Sequence, residues 1–450
     1  QSGSTLTLGG PGTAVTLGSG ATQTGFGRTG TVDWCTTAKT SPFTAANGAG
    51  YFVNTCGGAI TVTLPSSPSA GNIISIKDYA TTFGSNNVTL CRNGSKLGGE
   101  TLNATLKTNG DAVTLVYVDA TEGWINVNTD DTVAGEAYVT ATGGTITTCG
   151  NFKVHTFTGD GCFQVTNAGN AAGSNTVDYL VVAGGAGSNS ADGGGSGAGG
   201  YRESDGTASG SYSVSPLGGC VSGLSVPVQT YPITVGAGGA GGSPYPGTNA
   251  GANGSNSIFS TITSAGGGRG GQSYPASSPN FPNNVGIAGG SGGGGGYACT
   301  GNPSPSSTTN PNTQGGAGNT PPVSPPQGNP GGAGQTGYYG NHGGGGGATS
   351  AGGTASGPSP SPGGAGGNGG NGATSEITFS PVARGGGGGG PAYTGATAGT
   401  AGPGGGGAGR NSPGVGTAGT ANTGGGAGGS KGALGAAGGS GIVVIRYKFQ

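Results

Sequence analysis

Residues 363–373 read Gly-Gly-Ala-Gly-Gly-Asn-Gly-Gly-Asn-Gly-Ala, a glycine repeat with a period of three. A polyproline II-type helix also has three residues per turn, so every third side chain lies on one edge and glycine leaves the rest of the rod bare. Bare backbone is costly to bury unless another backbone pairs with its N–H and C=O groups. The repeat therefore predicts a rod that packs against similar rods.

Other short, glycine-dominated segments supply candidate partners for this rod: 236–242, 265–271, 289–296, 343–347, 385–390, 404–409 and 424–429. All of them are long enough for about two turns at three residues per turn. Together they predict a bundle of polyglycine II helices packed side by side.

Disorder is the main alternative to the bundle. The 115 Gly and 27 Pro make up 142 of the 450 residues, above the roughly 25–30% that usually indicates low complexity. Ordering each residue costs about 1–2 kcal/mol of backbone entropy, and glycine adds roughly 0.5–1 kcal/mol. A bundle therefore needs cooperative support. Collagen does not fit, because it has one glycine per triplet with proline in the other places.

Residues 236–241 also match the dinucleotide-binding pattern G-x-G-x-x-G and follow a strand-like stretch. That pattern holds a pyrophosphate at the start of a helix, but here Gly-Ser-Pro-Tyr-Pro follows and no helix is expected. We interpret the match as a chance one and predict no cofactor.

Charged residues make up only 6% of the chain and the formal net charge is -1. This balance gives no electrostatic reason to expect nucleic acid or an anionic membrane as a partner, and no apolar run approaches the roughly 18 residues of a membrane span. Between Gly206 and Ser375 the only formally charged residue is Arg269. A neutral stretch of that length favours a folded body over a solvated disordered chain. Since methionine is absent, we expect a fragment, a processed product or the ordered part of a longer protein.

Alternation of apolar and polar residues at period two predicts the remaining architecture. We predict a shaft-like β segment over 1–30, an all-β module over 31–132, and a small β unit over 133–183 that leads into a glycine-rich tip domain over 184–450. No window sustains a helical period. The predicted fold is therefore all-β modules followed by a polyglycine II bundle bracketed by strands, with essentially no α-helix.

The most apolar strands of the glycine-rich part are its first, 177–183, and its last, 441–448. In a closed domain these two would pair. Such a β layer would clamp the rods at their ends and offset the entropy cost of ordering glycine.

The seven cysteines form no C-x-x-C pair and no metal-ligand spacing, so no metal site is predicted. Cys35 and Cys56 flank one predicted hairpin, and Cys149 and Cys162 flank another. Extracellular disulfides within these pairs and buried free thiols remain alternatives.

Two parts of the sequence resemble bacteriophage tail-fibre proteins. Residues 51–71, with Asn-Val-Thr-Leu at 87–90 and Gly-Trp-Ile at 123–125, look like a β module that recurs in phage fibres. The stretch Val-Asp-Tyr-Leu-Val-Val-Ala-Gly-Gly at 177–185, closed by Gly-Ser-Gly-Ile-Val-Val-Ile-Arg at 439–446, is similar to a glycine-rich domain of fibre tips. The matches cover roughly residues 35–450.

This resemblance implies a virion protein that is extracellular and binds a bacterial surface receptor, either a polysaccharide or an outer-membrane protein. In tip adhesins of this kind, loops between polyglycine II segments contact the receptor. The resemblance also implies other tail or baseplate proteins as partners and a homotrimer through the N-terminal half.

Segments rich in Pro, Ser, Asn and Tyr separate the glycine runs, at intervals suited to loops at the rod ends. Loops on a rigid scaffold commonly carry binding residues, and aromatic side chains give rigid amphipathic contact area. We predict receptor contacts at Tyr274, Phe281, Tyr297, Tyr338, Tyr339, His342, Tyr393 and Arg410. The alternative for each is packing against its own rod.

Enzymatic chemistry is not predicted, and no catalytic residue is assigned. A catalytic or metal site needs two or three convergent groups, whereas His155 and His342 have no carboxylate pair nearby in sequence. A structural extracellular filament is the alternative to receptor binding. Ice binding is disfavoured because the third-position residues, Ala and Asn, do not form a regular Thr array.

Overall fold

The structure is a computed structural model. It describes residues 32–128, 133, 135–190, 192–210, 212–243, 250–273, 284–297, 313–336, 340–357, 364–432 and 434–450. The predicted shaft segment, 1–30, lies outside this set. The chain divides into two units, Gln1–Glu136 and Ala137–Gln450.

The described part of the first unit is built of strands alone. They are β1 (Asp33–Lys39), β2 (Phe43–Thr44), β3 (Ala49–Val53), β4 (Ile60–Thr63), β5 (Ile73–Asp78), β6 (Val88–Cys91), β7 (Ala104–Leu106), β8 (Ala112–Tyr117) and β9 (Trp124–Asn126). One sheet has the order β1-β3-β5-β8-β9 and the other β2-β4-β6-β7.

Each sheet of this unit begins with three parallel strands and is completed by antiparallel ones. Alternate side chains of both sheets point into one core, which includes Ile74, Leu90 and Trp124, each fully buried. The period-two pattern requires this arrangement, since successive side chains of a strand lie on opposite faces. The predicted all-β module is confirmed.

The second unit combines strands with extended glycine segments. Its strands are β10 (Val139–Thr142), β11 (Thr145–Cys149), β12 (Phe152–Phe157), β13 (Gly161–Ala168), β14 (Thr176–Val182), β15 (Asp192–Gly193), β16 (Tyr201–Glu203), β17 (Leu224–Ser225), β18 (Thr230–Thr234), β19 (Ser257–Phe259), β20 (Ile262–Ser264), β21 (Gln272–Ser273), β22 (Ala373–Ser375), β23 (Val382–Arg384) and β24 (Ile442–Lys448). The described helical structure is a single 3-10 turn, Thr207–Ser209. The near absence of helix agrees with the sequence-based prediction.

Two sheets of this unit form a sandwich. The first has the order β10-β13-β18-β19-β20, and the second has the order β11-β12-β24-β14-β16. Phe163 and Phe259 of the first sheet pack with Tyr447 of the second. On its opposite face the second sheet buries Leu180 and Val444 against Ala348 and other residues near the ends of the glycine segments. Burial on both faces explains why β14 and β24 are almost continuously apolar.

The predicted pairing of the first and last strands is confirmed, because β14 and β24 are antiparallel neighbours with Leu180 opposite Val444. Strand β12 pairs with the other edge of β24, and β13 pairs with β18. The strands predicted as a small unit over 133–183 therefore belong to the same body as the glycine-rich segments.

A central rod, residues 193–200, organises the glycine-rich segments. Successive backbone N–H groups of this rod point in three directions, and each direction recurs every third residue: Gly194 and Gly197 donate to Gly271 and Gly268, each at 2.9 Å. The rod donates to segments 265–271, 343–346 and 424–427, and it accepts from segments 183–186 and 291–294 and from Gly388. Six neighbours around a three-fold rod form hexagonal packing, the arrangement expected for polyglycine II.

Segments 289–296, 343–347, 385–390 and 424–429 pair with the central rod and with one another through backbone hydrogen bonds. These bonds confirm the predicted bundle. Segment 364–373 lies at the periphery of the bundle, where Asn368 and Asn371 are exposed. Side chains of that size need an open side, whereas the central rod carries only Ser196 and Ala198, both fully buried.

The bundle has two distinct ends. Strand β14 enters the bundle at Ala183 and the central rod leaves it at Tyr201, next to β14 in the second sheet; we call this end the base. Asn189, Ser190 and Asp192, which come between these two segments in sequence, lie at the opposite end, which we call the tip. Segments alternate in direction, so the β19–β20 and β22–β23 hairpins turn at the base.

The two disulfide candidates are corrected by the structure, in which the six described cysteines have free thiols: Cys35, Cys56, Cys91, Cys149, Cys162 and Cys220. Cys149 lies opposite Phe152 at the C-terminal end of β11. The carbonyl of Cys162 lies beside Gly143, which precedes the N-terminal end of β11. Six residues of extended chain span about 20 Å, and a disulfide needs Cα atoms within roughly 7 Å. Cys35 lies opposite Tyr51, and Cys56 follows the far end of β3.

We expect four thiols to react with a maleimide in the native protein without prior reduction, because Cys56, Cys149, Cys162 and Cys220 are exposed. Cys35 and Cys91 are partly buried and should react more slowly. Peptide mapping by mass spectrometry after labelling measures each site, and a disulfide-linked peptide containing any two of the six would contradict the structure.

Candidate functional site

The tip of the bundle is the candidate site, because the described rods that flank most of the predicted contact loops end there. Tyr274, Phe281, Tyr338 and Tyr339 lie outside the described residues. Three pairs of described residues at this end bracket chain reversals: Ser273 and Asn284, Gln335 and Asn341, and Asn411 and Gly414.

Asparagine side chains hold the rod ends in place at the tip. The Asn341 amide nitrogen donates to Ser356 O at 3.0 Å, and its oxygen accepts from Tyr393 N at 2.9 Å. Likewise, Asn189 donates to Gly270 O at 2.8 Å and accepts from Gly251 N at 2.9 Å. These amides replace the backbone partners that a rod loses where it stops.

Tyr393 and Arg410 are accessible, as predicted for contact residues: Tyr393 is partly exposed and Arg410 is exposed. The Lys431 ammonium lies 5.1 Å from the centroid of the Tyr393 ring and 3.4 Å from Asp192 Oδ1. A cation over an aromatic face and beside a carboxylate is attracted by both. Tyr393 is thus part of a charged cluster that includes Asp192 and Lys431.

The structure corrects the predicted surface contacts at Tyr297 and His342, since these side chains are only 7% and 1% exposed. Their rings meet edge to face with centroids 5.2 Å apart. His342 begins a rod that borders the central one, and its N–H donates to Pro391 O at 3.2 Å. Neighbouring rods on several sides therefore enclose both rings just below the tip.

Burial lowers the pKa of His342 to about 4. Desolvation is the main cause, because it disfavours the charged imidazolium. Lys431 lowers this pKa further, while Asp192 raises it. His342 is consequently neutral at neutral pH and acts as a packing residue beneath the charged cluster.

Asp192, Lys431, Asn189 and Asn341 were not predicted from the sequence. A signal for the first two was present: Lys431 is the only charged residue between Arg410 and Arg446, and Asp192 is the only carboxylate between Asp178 and Glu203. An isolated charge in a long neutral stretch is a candidate for an ion pair or a binding site. Nothing in the sequence distinguishes the two asparagines from the others.

A comparison of the sequence with protein families identifies the domain that contains the bundle. The family described as glycine-rich domain matches residues 158–448. This chain belongs to the glycine-rich domain family. Residues 158–448 contain the whole bundle and most of the sandwich strands, including β14 and β24.

No curated protein matches the sequence. Within the described part of the chain there is no helix long and apolar enough to cross a membrane.

Proposed function

We propose that this chain is a phage tail-fibre protein that adheres to a receptor on the surface of a host bacterium through the tip of its glycine-rich domain. One observation carries the proposal: the described residues that bracket the predicted contact segments lie at one end of the bundle, and the β sandwich covers the other end. A surface built in this way presents many loops side by side.

The bundle supports such a role through rigidity. Backbone hydrogen bonds on all sides fix the central rod, and the asparagine amides fix the rod ends. A loop whose two ends are held in place loses less conformational entropy when it binds, which increases affinity for a given contact area. The function proposed here is recognition without a chemical step.

As part of this proposal, the protein is located in the virion as a tail fibre, joins other tail or baseplate proteins, and forms a homotrimer through its N-terminal half. Exposed side chains on β1, including Trp34 at 45% exposure, support self-association of this half. Light scattering after gel filtration should give a particle of three times the 41.7 kDa chain mass.

Binding of the fluorescently labelled full chain to a panel of bacterial strains tests the proposal. We expect saturable binding to a subset of strains, which unlabelled protein displaces and which protects those strains from adsorption of phage carrying the fibre. Equal binding to all strains, or to none, would contradict receptor recognition.

A structural extracellular filament is the second candidate. Strand β11 lies at an edge of its sheet and all five of its residues are exposed. Exposed edge strands can pair with other chains. Electron microscopy of the same sample distinguishes the candidates, because ordered filaments without cell binding favour the structural function.

A further inference from the structure

The few charges of the bundle are distributed unevenly between its ends. Arg202, Glu203, Asp205, Arg384 and Arg446 lie in or beside the strands of the base. Arg269 lies within segment 265–271, between the two ends, and the tip has Asp192, Arg410 and Lys431. In a bundle that is otherwise almost neutral, these three charges set the electrostatic character of the tip.

Arg410 and Lys431 flank the same piece of backbone. Gly414 and Lys431 exchange two backbone hydrogen bonds, at 2.9 and 3.1 Å. The Arg410 guanidinium lies over Gly414, since a Cβ built there would be 3.2 Å from its Nε and 3.3 Å from one terminal nitrogen. The two cations therefore share one rigid platform, and glycine at 414 leaves room for the guanidinium.

The carboxylates at the tip do not balance these cations. Asp192 contacts Lys431 at 3.4 Å, and no described carboxylate forms an ion pair with Arg410. The remaining residues of the second unit, which the structure does not describe, contain no Asp or Glu. The cluster thus has one positive charge in excess, carried by an exposed guanidinium.

We propose that Arg410, held beside the Gly414–Lys431 backbone pair, binds the anionic group of an acidic saccharide, either a carboxylate or a phosphate, while Lys431, whose side chain is only 15% exposed, stays paired with Asp192. This inference rests on the proposed function and names the chemical class of the receptor. A guanidinium pairs with both anions through two parallel hydrogen bonds. The neutral surroundings leave the charge of Arg410 uncompensated.

The direct test is saturation-transfer NMR of the full chain with methyl glucuronide, glucose 1-phosphate and neutral methyl glucoside. We expect transfer to at least one anionic sugar and none to the neutral sugar, with the preferred anion identifying carboxylate or phosphate. Arg410→Gln should abolish the transfer. Lys448→Gln is the matched control, because Lys448 lies 5.2 Å from the Tyr138 ring centroid on β24, away from the tip. Equal transfer to all three sugars, transfer to none of them, or full retention in Arg410→Gln would overturn the inference.

The cell-binding assay separates this inference from the proposed function. On a strain that the wild-type protein binds, Arg410→Gln should weaken binding at least tenfold and Lys448→Gln less than twofold. If the wild type binds and Arg410→Gln binds equally well, the acidic-saccharide inference fails while receptor recognition stands. If the anionic sugars bind at Arg410 but no strain is bound, the proposed function fails and the anion site stands.

Discussion

Replacing Gly197 by alanine will prevent the second unit from folding, or will destabilise it by more than about 4 kcal/mol, a loss found only for severe core disruption. A Cβ at this position would lie 2.2 Å from Ser291 O and 2.7 Å from Ser291 C. Those atoms belong to a rod that is itself hydrogen-bonded to the central rod, since Ser291 N donates to Ala198 O. The backbone cannot move aside without breaking several of these bonds.

Two control variants separate this steric effect from the general effect of a substitution. Gly159→Ala places its Cβ in open space with no atom within 4 Å, so stability should change by less than about 0.5 kcal/mol. Ser196→Ala, beside Gly197 in the central rod, removes a buried hydroxyl that has no hydrogen-bond partner among the described residues. It should be neutral or stabilising by up to about 1 kcal/mol. Scanning calorimetry measures the melting temperatures of all three variants. A wild-type melting temperature for Gly197→Ala would contradict the close backbone contact described at Gly197.

His342 will make the second unit less stable in mild acid. Its pKa is about 4 in the folded protein, compared with about 6.5 when unfolded. The unfolded chain therefore binds more protons between these values. The stabilising contribution is complete above pH 6.5 and is lost as the pH falls towards 4, by about 3 kcal/mol in total.

Comparison with His342→Gln isolates this effect. His155, whose pKa burial also lowers, and Glu203, whose pKa burial raises, are present in both proteins and cancel. We expect the stability difference between wild type and variant to change steeply between pH 7 and 4, as followed by denaturant titration at each pH. A difference that is constant across this range would show that His342 is not buried as described.

The period of three in the glycine repeats was sufficient to predict rods joined by backbone hydrogen bonds, because glycine leaves the backbone as the only group available for pairing. The apolar character of β14 and β24 was sufficient to predict their pairing. The choice between disulfides and free thiols could not be made from the sequence, because proximity to a predicted hairpin does not fix the distance between Cα atoms. The expected hairpin does not form, because β12 pairs with β11 and β24 in the second sheet, whereas β13, which carries Cys162, pairs with β10 and β18 in the first.

The sequence by itself determined the kind of secondary structure and the need of each rod for similar neighbours, since both follow from local periodicity and from the cost of burying unpaired backbone. Only the tertiary structure decided that residues 193–200 form the centre, that His342 lies inside, and that Arg410 and Lys431 meet at Gly414. Each of these depends on which rods become neighbours. Many nearly identical glycine segments offer the same backbone pairing. Which segments become neighbours therefore depends on how the whole bundle packs.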